Sequence, residues 1–396
     1  MPDKAPITAQ TGFSSLKWND PSVRSAFFQS IAVVLLFWLF WQIFNNTLTN
    51  MEKRGISTGF AFLNREAGFG ILMSLIDYDE TYSYGRTFFV GLINTLLVSS
   101  VSIVFATIIG FVIGIARLSN NWLVSRMAAV YIETIRNLPL LLQIIFWAII
   151  LRSLPGPSNS LKMGESFFLN NRGLFAPRPI YEDGFGFVLI ALFVAFGIVA
   201  YLWRWAKKRH DQTGQRFPIF WLSIGLLVIL PSLLFIAMGG AISWEMTELA
   251  RFGMRGGLNI IPEFIALGWA LATYTGAFIA EIVRSGIQAV NKGQTEAAHA
   301  LGLRNGPTLR LVIVPQAMRV IIPPLTSQYL NLTKNSSLAT AIGYPDLVAV
   351  FAGTTLNQTG QALEIIGITM ATYLTISLVI SAFMNWYNHK MALVER

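Results

Sequence analysis

The chain has 396 residues, of which 54% are hydrophobic and only 12% charged, and its mean hydropathy is +0.56. A soluble domain carries about 25% charge, so the composition excludes an ordinary water-soluble enzyme and points to an integral membrane protein. The absence of cysteine excludes disulfides, thiolate metal sites and cysteine nucleophiles. The net charge of +9 calls for no nucleic-acid partner, because membrane proteins concentrate Lys and Arg in their cytoplasmic loops.

The first 25 residues are polar, with Lys4, Lys17 and Arg24 set against Asp3 and Asp20. The apolar run that follows is too long for a cleaved signal and reads as an uncleaved first span. Uncharged windows of roughly 20 residues are expected to cross a bilayer as helices. They fall at Ser25 to Met51, Thr87 to Ala116, Gly184 to Trp203, Phe217 to Trp244 and Ile365 to His389. Three further spans carry charge near one end: Met127 to Leu151 with Glu133 and Arg136, Pro262 to Val290 with Glu281 and Arg284, and Gln316 to Leu332. The expected fold is therefore all-α, with about eight transmembrane helices.

With the N-terminus inside, the inner segments 1–25, 116–126, 204–216, 284–319 and 388–396 hold 17 Lys and Arg in 94 positions. The outer segments 46–85, 152–185 and 239–262 are poorer in them, as the positive-inside rule requires. The stretch RWAKKRHDQTGQR at 204–216 is the strongest anchor, and an even number of spans returns the C-terminus to the inner side. Trp38, Trp41, Trp122, Trp203, Trp205, Trp244 and Trp386 are expected in the interfacial aromatic belt.

Small residues lie within the spans of 86–152 (Gly91, Gly110, Gly114) and of 262–390 (Gly268, Gly276, Ala277, Ala280), where they permit close helix packing in lipid. Segment 153–261 reads as an insertion of two bulky spans and two outer loops. Between two apolar spans, KGQTEAAHALGLRNGPTLRLVIVP forms a polar, alanine-rich interruption. Thr295 is expected to cap a short helix with Glu296 in its first turn, and Gly302 to end it. Asn305-Gly306-Pro307 is expected to break the chain before a second helical run, Thr308 to Val314, closed by Pro315. Positive-inside counting places this loop in the cytoplasm, and its small residues suit it to docking.

Ionisable groups within spans are costly and tend to face a cavity. Glu281 and Arg284, three apart, are expected to pair, as are Glu133 and Arg136. Lys334-Asn335-Ser336-Ser337 forms a polar break that could line a cavity or hold a carboxylate, or from which Lys334 could snorkel to the interface. His210, His299 and His389 are scattered and form no metal cluster, and no G-x-x-x-x-G-K-[ST] phosphate loop occurs.

Taken together, EAA at 296–298, Gly302, and Pro315 in VIVPQA resemble the EAA loop of bacterial ABC importer permeases. The blocks ETIRNLPLLLQIIFW (133–147), YTGAFIAEIVRSGIQAVNKGQTEAAHALGL (274–303), LRLVIVPQAMRVIIPPL (309–325) and NLTKNSSLATAIGYPDL (331–347) are similar to the polar amino-acid uptake permeases. The extra N-terminal span and the insertion resemble the larger membrane subunit of general L-amino-acid importers. One departure is Asn137 in IRNLPLL, where many members carry Gly-Thr.

The resemblance implies a type I permease core of five helices, shared between 86–152 and 262–390, plus one N-terminal helix (within 1–85), the two-helix insertion (153–261) and a cytoplasmic tail (391–396). It implies that Glu296, Ala297, Ala298, Gly302 and Pro315, within a loop at 291–315, couple to two copies of a separate ATPase that binds ATP and Mg, none of which this chain binds. A periplasmic amino-acid-binding protein would deliver substrate, and a second permease subunit, in a hetero-pair rather than a homodimer, would complete the pathway in the bacterial inner membrane. Glu281, Arg284, Lys334, Asn335 and Ser336 are the candidates for the substrate pathway. The alternatives are an ion-coupled secondary transporter, which would typically show repeated halves, and a non-transporting structural or regulatory subunit.

Overall fold

In lipid a spanning segment must satisfy its own backbone, so the apolar windows become helices. The computed structural model describes residues 21–53, 58–215, 217–240, 242–250 and 253–391. The polar segment before Pro21, Arg216 and the tail after Met391 lie outside the described residues. In chain order the helices are α1 (Pro21–Lys53), α2 (Tyr84–Arg117), α3 (Trp122–Asn137), α4 (Leu140–Arg152), α5 (Phe185–Thr213), α6 (Ile219–Ala237), α7 (Pro262–Gln288), α8 (Lys292–Ala300), α9 (Asn305–Thr308), α10 (Val314–Asn335), α11 (Leu356–Thr359) and α12 (Ala362–Met391). Among the described residues, seven helical stretches are long and apolar enough to cross a membrane, and the bent pair α3–α4 makes eight if it counts as one span.

That pair corrects the expected span Met127 to Leu151. The chain bends by 104° between α3 and α4. Pro139 forces Leu138 out of the helical region, to φ −95 and ψ 131, and itself caps α4. The Gln143 side chain then donates to the carbonyls of Ile135 (3.1 Å) and Leu138 (3.0 Å), meeting the open end of α3. The fourth uncharged window is also shorter than expected: α6 stops at Ala237, and Trp244 lies on a strand instead of a helix end.

The expected break at Asn305-Gly306-Pro307 is a helix start. Pro307 falls in the first turn, where its missing N–H costs nothing. Pro315 does not close the run. A π turn over Leu309–Ile313 lets the helix continue through Pro315 into α10, giving one stretch from Asn305 to Ile342.

The core forms where small residues allow it. A Cβ on Gly110 would lie 2.4 Å from Ile279, and one on Gly114 would lie 2.7 Å from the Ala280 carbonyl, so α2 and α7 touch backbone to side chain. Around this contact Val98, Ala106, Leu267, Leu271, Ile279, Val283, Ile321 and Leu332 are buried. A second cluster (Phe62, Tyr84, Leu347, Phe351, Ile365) fastens the loop before α2 to the chain ahead of α12, helped by Glu364, whose carboxylate accepts from the Gly59 N–H at 2.6 Å.

The insertion adds short strands to the expected loops. The strands are β1 (Leu161–Met163), β2 (Phe167–Asn170), β3 (Gly173–Ala176), β4 (Arg178–Tyr181), β5 (Ile242–Glu245), β6 (Glu248–Ala250), β7 (Gly253–Arg255) and β8 (Leu258–Ile260). They form an antiparallel sheet β1-β2-β3-β8 and two pairs, β4-β5 and β6-β7. Both β3-β8 and β4-β5 join the loop before α5 to the loop after α6.

Candidate functional site

The short helix α8 is built as a presented element. Asn291, rather than Thr295, is its N-cap: its side chain accepts from the Gly293 N–H at 2.8 Å. Thr295 and Glu296 therefore lie one turn further in than expected. Gly302 ends the helix as expected, at φ +77. Its N–H donates to the His299 carbonyl at 2.8 Å and the Leu303 N–H to the Ala298 carbonyl at 3.1 Å, a paired closure that needs a left-handed residue between them.

Of the five residues singled out for coupling, Glu296, Ala297 and Gly302 face outward, while Ala298 is buried against the chain that follows. Pro315 stands apart, half-buried at the start of α10. Gln316 Nε2 donates to Gln294 Oε1 at 3.1 Å, tying α8 to α10. Leu301 is 82% exposed at the tip, and Leu309 and Leu311 are exposed beside it. Leu301 is thus an apolar side chain held outward at the end of a capped, tethered helix, with Leu309 and Leu311 on the stretch that follows.

At this end of α7 the expected pair is present, with Arg284 Nε 3.0 Å from Glu281 Oε2 and Arg284 Nη1 donating to Gln288 Oε1 at 2.7 Å. Glu133 and Arg136 do not pair. The Arg136 guanidinium lies over the Phe278 ring, 4.9 Å from its centroid, and the Glu133 carbonyl accepts from Asn137 Nδ2 instead. An aromatic face on the neighbouring helix holds the cation without requiring two charges to be desolvated together.

The candidates Lys334, Asn335 and Ser336 lie far from the Glu281–Arg284 pair. Gly286 packs on Ile321, and Lys334 is thirteen positions further along α10, about 20 Å at 1.5 Å per residue. The five pathway candidates thus do not form one site. Lys334 and Ser337 line a cavity of about 410 Å3 with Val348, Thr369, Met370, Tyr373, Leu374 and Ser377. Asn335 and Ser336 are absent from its lining. Ser336 is buried, its Oγ donating to the Thr333 carbonyl at 2.8 Å. The hydroxyls of Ser337, Thr369 and Tyr373 already donate within the chain, so Lys334 is the group in this apolar frame that can meet a small carboxylate.

Behind that cavity the sequence reading missed a buried polar knot. In the turn between the stretch ending at Ile342 and α12, Asp346 is buried and its Oδ1 accepts from the Ala349 N–H at 2.9 Å. Tyr373, which lines the cavity, reaches Asp346 Oδ2 at 3.4 Å. The Asn94 side chain donates to the carbonyls of Met73 (2.8 Å) and Pro345 (2.9 Å), and its backbone carbonyl accepts from the Tyr344 hydroxyl at 3.0 Å. Burial pushes the Asp346 carboxyl up to about 7. The sequence signal was a lone acid in the apolar turn YPDL, which proline made look like an ordinary bend.

Comparison with known proteins shows the family of the chain. A family model described as "Binding-protein-dependent transport system inner membrane component" matches residues 193–393. A protein named as a putative amino-acid ABC transporter permease, YhdX of Escherichia coli K12, is 53% identical over 96% of this chain and 98% of its own. The general L-amino acid transport system permease AapQ of Rhizobium johnstonii is 50% identical over 95% of this chain and 94% of its own. BztB of Rhodobacter capsulatus, named as a glutamate/glutamine/aspartate/asparagine transport permease, is 43% identical over 95% and 96%. The chain belongs to the ABC transporter permeases, among the binding-protein-dependent transport system inner membrane components.

Proposed function

We propose that this permease is the membrane subunit of an ATP-driven importer of L-amino acids, taking substrate from a periplasmic binding protein and moved by a separate ATPase docked on α8. The observation that carries the reading is α8 itself, capped by Asn291, closed by Gly302 and followed by the outward-facing Leu301. The names of relatives matched over nearly their whole length support the substrate class. Two ATPase copies, with ATP and Mg bound there, would drive Glu296, Ala297, Ala298 and Gly302 as one body, and Pro315 would pass the motion into α10. A second, related permease would complete the pathway, with both termini and α8 in the cytoplasm, as the Lys and Arg distribution supports.

Along the pathway Lys334 would meet the substrate carboxylate, Asn335 and Ser336 would hold the turn that places it, and Glu281 with Arg284 would close the α8 end. The test is uptake by proteoliposomes holding permease, ATPase and binding protein, with ATP inside and the proton gradient collapsed. Persistent uptake supports ATP drive, and its loss would favour ion coupling. Gly302→Val puts a branched side chain at a left-handed residue, a strain of about 1–2 kcal/mol that should lower coupled uptake roughly tenfold. Full uptake with full ATPase stimulation in that variant would sink the coupling role.

A further inference from the structure

The stretch 204–216 carries five basic residues and one acid, Asp211, and the positive-inside rule accounts for its charge but not for its shape. On α5, Trp203, Lys207 and His210 follow one another at helical spacing and so share a face. With Ala206 from the same helix and Phe217 and Ile219 from the start of the next segment, they line a groove of about 440 Å3 between α5 and α6. Buried Ala206 leaves room for it, and Trp203 fixes one wall by donating its Nε1–H to Ser223 Oγ at 3.0 Å.

Two of the other basic side chains are turned elsewhere. Arg209 stacks 5.4 Å from the Trp205 ring centroid and donates to Gln215 Oε1 at 3.2 Å, and Lys208 is exposed outside the groove. Among the described residues both ion pairs lie in other helices, so no carboxylate, Asp211 one turn along α5 included, stands within ion-pair distance of Lys207. The groove is thus graded in chemistry, with a cation and an imidazole beside the apolar walls of Trp203, Phe217 and Ile219, on a helix pair whose spanning parts carry many exposed apolar side chains. A soluble anion would use only Lys207 and His210.

From this gradation we infer that the α5–α6 groove is a binding site for one anionic phospholipid, whose phosphate meets Lys207 and His210 and whose glycerol and upper acyl chains cover Trp203, Phe217 and Ile219. The site is separate from the coupling and pathway residues.

Full-length permease in detergent should be titrated with phosphatidylglycerol, phosphatidylcholine and inorganic phosphate, with bound lipid counted by native mass spectrometry. Phosphatidylglycerol should bind in preference to phosphatidylcholine. Removing two head-group contacts with Lys207→Gln plus His210→Gln should weaken it by about tenfold. Phe217→Ala should weaken the lipid too, whereas Lys208→Gln should leave binding unchanged. Thermal midpoints in lipid-free detergent check that each variant is folded. Equal binding of the two lipids, displacement of phosphatidylglycerol by inorganic phosphate alone, or a loss in Lys208→Gln as large as in the double variant would each overturn the site.

Discussion

Gly110 and Asp346 illustrate how single residues carry this molecule. No side chain fits at Gly110, because the Cβ would meet Ile279 at both its Cβ and its Cγ2, atoms that cannot swing away. Gly110→Ala should therefore destabilise the protein by about 1–3 kcal/mol, read as a lower thermal midpoint in detergent. Asp346 is different in kind, because its cost depends on pH. Its folded carboxyl titrates at about 7 against an ordinary 3.8, so the protonated form is the one the fold prefers. The stability from this group is present in full below pH 3.8 and is lost as pH rises through about 7. Unfolding midpoints should fall across that window, and Asp346→Asn should flatten the slope; an unchanged slope would place the titration elsewhere. At this scale the sequence was partly legible. Gly302 and the pair Glu281–Arg284 were readable from type and spacing. The Asn291 cap was readable in principle, since Gln294 follows it by three, but Thr295 before Glu296 offered the more familiar pattern. The Asp346 knot was hidden because its partners come from α2 and α12, which sequence distance keeps apart.

Helical elements were the most legible, because apolar length alone decides what crosses a bilayer. Their interruptions were not. Pro139 announced a boundary at Leu138, yet the apolar residues on either side of the charged Glu133–Arg136 stretch read as one span; the bend appears only when Gln143 is seen closing α3. Gln143→Leu should leave the Ile135 and Leu138 carbonyls unmet and cost about 1–3 kcal/mol, with the loss appearing as lower thermal stability of the folded permease. Pro315 misled in the opposite direction. It looked like a stop, but a π turn costs few hydrogen bonds and leaves no mark in local composition.

At the scale of the whole molecule, the permease assignment followed from blocks far apart in the chain, whereas the architecture of the insertion was invisible. Strands of three or four residues have too little length for a period-two pattern, and in β3-β8 and β4-β5 the partners lie two spans apart. β3 is central in its sheet, with Phe175 in register with Phe168 of β2 on one side and Asn259 of β8 on the other. Phe175→Pro should remove a ladder bond and expose segments 153–183 and 239–261 to protease while leaving the spans inserted, as limited proteolysis of membranes would reveal.

That pairing has a consequence for biogenesis. β3 leaves the ribosome before α5 and α6, and β8 after both. The sheet cannot close until the hairpin of α5 and α6 has been threaded through the lipid and its far end delivered back to the side where β3 waits. Closure of β3 on β8 is therefore a latch that registers completed insertion of the pair. A nascent chain stopped within α6 would leave β3 with an open edge.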